Sequence, residues 1–318
     1  MSNHPPARMV PIADGLTWLA IIRLGLVQAA LGSVVVLTTS TLNRVMVVEL
    51  ALIATIPGAL VGLHYAVQML RPLWGHASDQ GGSRTRWVIG GVGCLAVSGT
   101  LAAVATAWMS TSVVWGLALA VIAYVGIGFG IGAAGTSLLA LLAARTAAKR
   151  RPAAATVVWV TMIFGIVLTA GLSGAMLEPF SYERLVVVTL VTSAIAFVVT
   201  IIAVWGIERR YANQLRAEPE RTTLREALRE AWSDPHARTF TVFVFVSMLA
   251  YSAQDLILEP FGGLVHGMTP KETTQLAGVQ HGGVLVGMIA VGTLGTWLAR
   301  RMRGVLKGIV IGDRKSVV

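Results

Sequence analysis

The sequence predicts an all-α, multi-pass membrane protein, and three observations carry that reading. Hydrophobic residues are 55% of 318 and charged residues only 13%, where soluble domains carry about a quarter. Mean hydropathy is +0.73. The apolar residues fall into blocks of about twenty, the length a helix needs to cross a bilayer. Such blocks must be helical, because lipid offers no partner to backbone N–H and C=O groups.

Eight spans are expected, at residues 18–40, 47–70, 87–108, 112–142, 153–176, 185–206, 238–258 and 274–299. The first follows seventeen residues with three prolines and no apolar core, which read as a short cytoplasmic tail and not as a signal peptide. It carries Arg23 near its cytoplasmic edge, where the side chain can snorkel, with Asp14 or Asp79 as partner. The second carries His64 and Gln68 four residues apart on one face, beside Tyr65. The third contains the lone Cys94, read as a packing residue. The fourth is long enough to tilt. Its run Gly126, Gly128, Gly130, Gly132 and Gly135 reads as small residues that let helices approach closely. Gly165, Gly171 and Gly174 of the fifth read the same way. The sixth has no ionisable residue after Arg184. The seventh carries Asp255 and Glu259 four apart with Gln254 adjoining, and the eighth opens with Gln280 and His281.

Basic residues alternate by loop. Arg71, Arg84 and Arg86 lie between spans two and three, and Arg145, Lys149, Arg150 and Arg151 between four and five. Seven arginines lie between six and seven, and Arg300, Arg301, Arg303 and Lys307 follow eight. The intervening loops hold Arg44, Arg184 and Lys271. This is the positive-inside pattern, with a cytoplasmic N-terminus. It explains the net charge of +10 without nucleic acid as a partner; the lipid bilayer is the expected one.

Residues 1–206 form an expected six-helix bundle and 207–237 a cytoplasmic loop. Residues 238–311 are expected as the first two helices of a second bundle, the layout of a two-bundle transporter. Within the loop, Thr223 and Glu226 form a capping box, and Leu224, Leu228 and Trp232 share one helical face. This helix either covers the bundle ends or docks a partner.

Residues 75–84 read GHASDQGGSR. Gly75, Asp79, Gly82 and Arg84 match the spacing of the loop motif of the major facilitator superfamily, which the chain resembles; Gln80 and Ser83 depart where bases are usual. A carboxylate here can pair with cytoplasmic arginines and a helix N-terminal dipole, a latch on one face. Three longer strings narrow the resemblance: TTSTLNRVMVVEL at 38–50, LHYAVQMLRPLWGHASD at 63–79 and SMLAYSAQDLILEPFGG at 247–263. They are similar to the PucC/LhaA, or bacteriochlorophyll delivery, family. That resemblance implies an assembly factor of light-harvesting complexes in the bacterial inner or intracytoplasmic membrane, handling bacteriochlorophyll. Antenna polypeptides or pigment-synthesis proteins are then its partners. The alternatives are a secondary transporter of another small solute, and a structural partner of antenna or reaction-centre subunits without pigment.

Polar side chains inside a membrane are costly and often functional. His64, Gln68, Asp255, Glu259 and His281 are therefore the candidate pigment- or substrate-binding residues. The magnesium of a chlorin takes an axial nitrogen or oxygen ligand, which His64 or His281 can supply. The competing role for both is an interhelical hydrogen bond. His4, His76, His236 and His266 fall in tails or loops. A proton-coupling role for Arg23 or Glu49 stays open, without a second buried carboxylate in the first bundle to complete a relay.

No enzyme is expected. GIGAAG at 130–135 fits GxGxxG but lies inside an apolar helix without a preceding strand, and no zinc spacing, nucleophile elbow or phosphate loop is present. About twelve spans are expected of the fold, so eight imply C-terminal truncation. Gly295, Arg300 and Arg303 faintly echo the loop motif 220 residues after Gly75. A ninth span starting near Val305 breaks into DRKSVV, which a common sequencing adapter also encodes in frame. Residues 312–318 are accordingly expected to be a non-native tail.

Overall fold

The computed structural model describes residues 15–72, 74, 75, 83–210, 229 and 232–290, and every regular element among them is helical. The expected features that fall elsewhere — Asp79 and Gly82 of the loop motif, the capping box, Gly295 and the tail after 311 — lie outside the described residues.

Helix α1 runs continuously over Trp18–Glu49. Its α-helical turns are interrupted by two π-helical turns, Leu37–Thr41 and Val45–Glu49. Helix α2 is Thr55–Gln68, α3 Arg84–Trp108, α4 Val113–Arg145, α5 Arg151–Met176, α6 Tyr182–Val204 and α7 Pro235–His266. Helix α8 covers 270–290. Six of these, all but α2 and α8, are by themselves long and apolar enough to cross a membrane among the described residues.

One boundary differs from expectation. The sequence suggests a loop near Arg44 and a second span from 47, yet the first helix continues to Glu49 and α2 starts at Thr55. Asn43 and Arg44 do not break the helix because neighbouring helices satisfy them. Asn43 Nδ2 donates to the Leu256 carbonyl at 2.8 Å and Arg44 Nη2 to the Met268 carbonyl at 2.7 Å. Helix α7 likewise runs past Pro260 to His266, where Gly267 ends it in a left-handed conformation, φ 63°.

The core is built from α1 to α6. α3 packs along α4 and α6, α1 along α5 and α6, and α2 along α4. Small residues set these distances. A Cβ on Gly130 would stand 2.7 Å from the Gly91 carbonyl and the Leu95 nitrogen, and one on Gly128 2.5 Å from the His64 carbonyl. The glycine run of α4 is thus helix-packing surface, as expected, although Gly135 faces open space. Gly165 meets Ala29 of α1, and Gly174 meets the backbone of Lys271 at the head of α8. Cys94 packs against α4, its Sγ 3.4 Å from the Gly126 carbonyl.

The partners expected for Arg23, Asp14 and Asp79, lie outside the described residues; among the described ones Arg23 reaches the end of α6. Its Nη2 donates to the carbonyls of Ile202 and Trp205, at 3.0 and 2.6 Å. A cation near the end of α6 complements the C-terminal dipole and its unpaired carbonyls, which a side chain one helix away reaches without a carboxylate.

Candidate functional site

Helices α7 and α8 meet the first bundle through two polar clusters. In the first, Gln280 of α8 donates to Asp255 of α7 at 2.9 Å. His281, one residue on and buried, stands edge-on to Tyr251 with ring centroids 6.5 Å apart. Tyr65 of α2 faces Ser252 and Asp255 across the gap. Nδ1 of His281 lies 2.9 Å from the Ala277 carbonyl one turn earlier in its own helix. A proton on Nδ1 makes that contact a hydrogen bond and leaves the Nε2 lone pair available, the tautomer that metal-binding histidines use. The arrangement can therefore offer one neutral nitrogen donor beside a carboxylate–amide pair.

The second cluster lies one turn farther along α7, toward its C-terminal end. Arg44, 2% exposed, pairs through Nη1 with Glu49 at 2.6 Å. Glu259 is fully buried near Arg44, with Asp255 one turn before it. Thr41 and Thr274 join α1 to α8 at 3.3 Å.

The five candidate residues are thus divided. Asp255 and His281 come together, and Glu259 joins Arg44. His64 and Gln68 share a buried face of α2, as their spacing predicts. Gln68 accepts a hydrogen bond from Arg71. His64 is fully enclosed against α4, its ring 6.5 Å from that of Tyr124. Among the described residues neither histidine makes the expected interhelical hydrogen bond. The His64 ring lies near the Val61 carbonyl of its own helix, but neither nitrogen reaches hydrogen-bonding geometry with any described group.

At the loop motif, Arg84 Nη1 donates to the Ala140 carbonyl at 3.0 Å and ties α3 to the end of α4. Sequence reasoning missed the acid that seats the start of α3. Glu208, just after α6, accepts from Ser83 Oγ at 2.7 Å, from the Arg84 amide at 3.0 Å and from the Thr85 amide at 3.1 Å. Burial raises the Glu208 carboxyl, and these hydrogen bonds outweigh it, leaving the group below the usual carboxylate range. Arg44 was missed as a site residue because a charge amid polar residues reads as a loop. The signal was present in the apolar run on either side of Asn43 and Arg44, with Glu49 five residues on.

Comparison with known proteins places these residues in a family. The model of the PUCC protein family matches residues 41–315. A Rhodobacter capsulatus protein named bacteriochlorophyll synthase 44.5 kDa chain is 57% identical over 281 residues, covering 87% of this chain and 64% of that protein. A protein of the puhA-bchM intergenic region of Rhodobacter capsulatus is 31% identical, over 95% of this chain and 67% of its own length. Protein PucC of Rhodovulum sulfidophilum is 29% identical, over 88% and 66%. The chain thus spans about two thirds of the length of these relatives. With a match across most of its helices, from the end of α1 onward, this multi-pass membrane protein belongs to the PucC family.

Proposed function

We propose that this protein is an assembly factor of light-harvesting complexes that holds or delivers bacteriochlorophyll in the bacterial inner membrane. Its N-terminus is cytoplasmic, and antenna polypeptides or pigment-synthesis proteins are its partners. The single observation that carries the pigment reading is His281. Its Nδ1 is occupied by the Ala277 carbonyl, and Nε2 is left as a donor for the magnesium of a chlorin. Gln280 holds Asp255 beside it, where a carboxylate–amide pair can orient polar groups on a macrocycle. His64 fits the role less well, because the packed backbone of α2 and α4 encloses it. The word synthase belongs to the name of one relative; for this chain the reading is a carrier and not a catalyst. Bound pigment would supply the light-absorbing chemistry, and the residues here bind and orient it.

The domain division rests on the same reading. Residues 1–206 are a six-helix bundle, 207–237 a cytoplasmic connector, and 238–311 the start of a second bundle of the major facilitator type. The core drawn from α1 to α6 supports the first of these units.

The test is an absorption spectrum of the protein gently purified from its native membrane. Bacteriochlorophyll should co-purify, His281→Leu should lose most of it while still inserting, and His281→Gln should retain part. A colourless wild-type protein, or equal pigment in wild type and His281→Leu, would refute the assignment.

A further inference from the structure

The second polar cluster has a charge imbalance that pigment handling does not use. One guanidinium, Arg44, faces two carboxylates, Glu49 and Glu259. Two of the three Arg44 nitrogens are engaged, Nη1 on Glu49 at 2.6 Å and Nη2 on the Met268 carbonyl at 2.7 Å, while the buried Nε has no hydrogen-bond partner among the described residues. Glu259 is fully buried, and neither of its carboxyl oxygens has a hydrogen-bond partner among the described residues. Two hydroxyls stand beside it, those of Thr273 and Thr274, and each also has another contact. Thr273 Oγ1 lies 3.2 Å from both the Thr269 and Pro270 carbonyls, and Thr274 Oγ1 shares a hydrogen with Thr41. Asp255, one turn earlier on α7, adds negative charge, and Tyr182 at the start of α6 faces Glu49. Lys271, the other nearby cation of α8, is paired with Glu178. A buried carboxylate whose oxygens make no hydrogen bond, and whose nearest guanidinium already serves another acid, is strongly disfavoured as an anion, and neutralisation is the usual relief.

We propose that Glu259 is a proton-binding site that couples protonation to the packing of α7 and α8 against α1. With the helices packed, the carboxyl carries one proton taken from water. When they part, water reaches Glu259, the charged form is solvated, and the proton leaves. Among the described residues, hydrogen bonds that cross this junction are Asn43 to Leu256, Arg44 to Met268, and Thr41 to Thr274, the last beside Glu259. The two π turns of α1 flank Arg44, and such turns are frequent where a helix serves a function. The proposal does not depend on pigment.

Two readouts on the full chain in lipid nanodiscs test it. Infrared titration should show a protonated-carboxyl band in wild type that disappears in Glu259→Gln, with one proton fewer taken up per chain. Spin labels at Ile53→Cys and Leu264→Cys, both exposed positions, in a Cys94→Ser background, report the separation of α7 from the segment that directly follows α1. That distance should lengthen from mildly acidic to alkaline buffer in the Glu259 protein and stay short at all pH in Glu259→Gln. Absence of the band in wild type, or its persistence in Glu259→Gln, overturns the site. Loss of the band with pH-independent distances in the Glu259 protein overturns the coupling.

Discussion

At the scale of single residues, the side chains that matter are those whose hydrogen-bonding capacity and surroundings do not match. His64 has two ring nitrogens, and neither makes a hydrogen bond among the described residues. Replacing an unsatisfied buried polar group by an apolar one of similar size is nearly neutral or stabilising. His64→Leu should therefore keep or raise the thermal midpoint and leave pigment content unchanged, as read by unfolding in detergent and by absorbance. Loss of pigment in that variant alone would move the ligand from α8 to α2. Glu208 shows the opposite case, a carboxylate with more donors than it needs. Its Ala variant should cost about 0.5–2 kcal/mol, as lost helix caps do. Because its carboxyl sits below the usual range when folded, its contribution is present above the unfolded carboxylate range and is lost as pH falls through the folded value. Wild type and Glu208→Ala should thus converge in stability in acid, and a constant gap from neutral to acidic pH would contradict the role.

At the scale of elements, backbone contact between helices decides what each position tolerates. Gly130 meets the backbone of α3 on both its Gly91 and Leu95 contacts, so no side-chain rotation can relieve an added group. Gly130→Leu should destabilise by about 1–3 kcal/mol or prevent folding, whereas Gly135→Ala, facing open space, should be silent. Equal thermal midpoints for the two would contradict the packing. Much of this was legible in the sequence. Apolar length located every helix, and the glycine run in α4 was recognisable as packing surface. The boundary between α1 and α2 was not, because Asn43 and Arg44 are polar in sequence yet donate to carbonyls of α7 and the α7–α8 connection, and Glu49 pairs with Arg44. Those groups are more than 200 residues away, as the Asn43–Leu256 separation of 213 shows. Local pattern carries no trace of them.

At the scale of the whole molecule, the loop charges make a prediction about orientation. A reporter active only outside the cytoplasm should be silent when fused after Arg216 and active when fused after Lys271. Activity after Arg216 and silence after Lys271 would invert the topology. The two sides of the molecule also differ in how they are closed. Glu208 and Arg84 gather the starts and ends of α3, α4 and α6 at the end expected to be cytoplasmic. Arg44, Asn43 and Thr41 join α1 to α7 and α8 toward the other.

The sequence by itself determined that the chain is helical and membrane-embedded, and roughly where each helix lies, because the cost of exposing backbone to lipid leaves one solution for a long apolar block. Its long strings also carried the family. Only the tertiary structure decided which polar residues meet. Asp255 and Glu259, four apart on one helix, look like one site in sequence, but Asp255 joins Gln280 beside His281 while Glu259 stands near Arg44. The reason is physical: spacing along a helix sets the face a residue presents, while the partner on that face comes from whichever distant helix packs there.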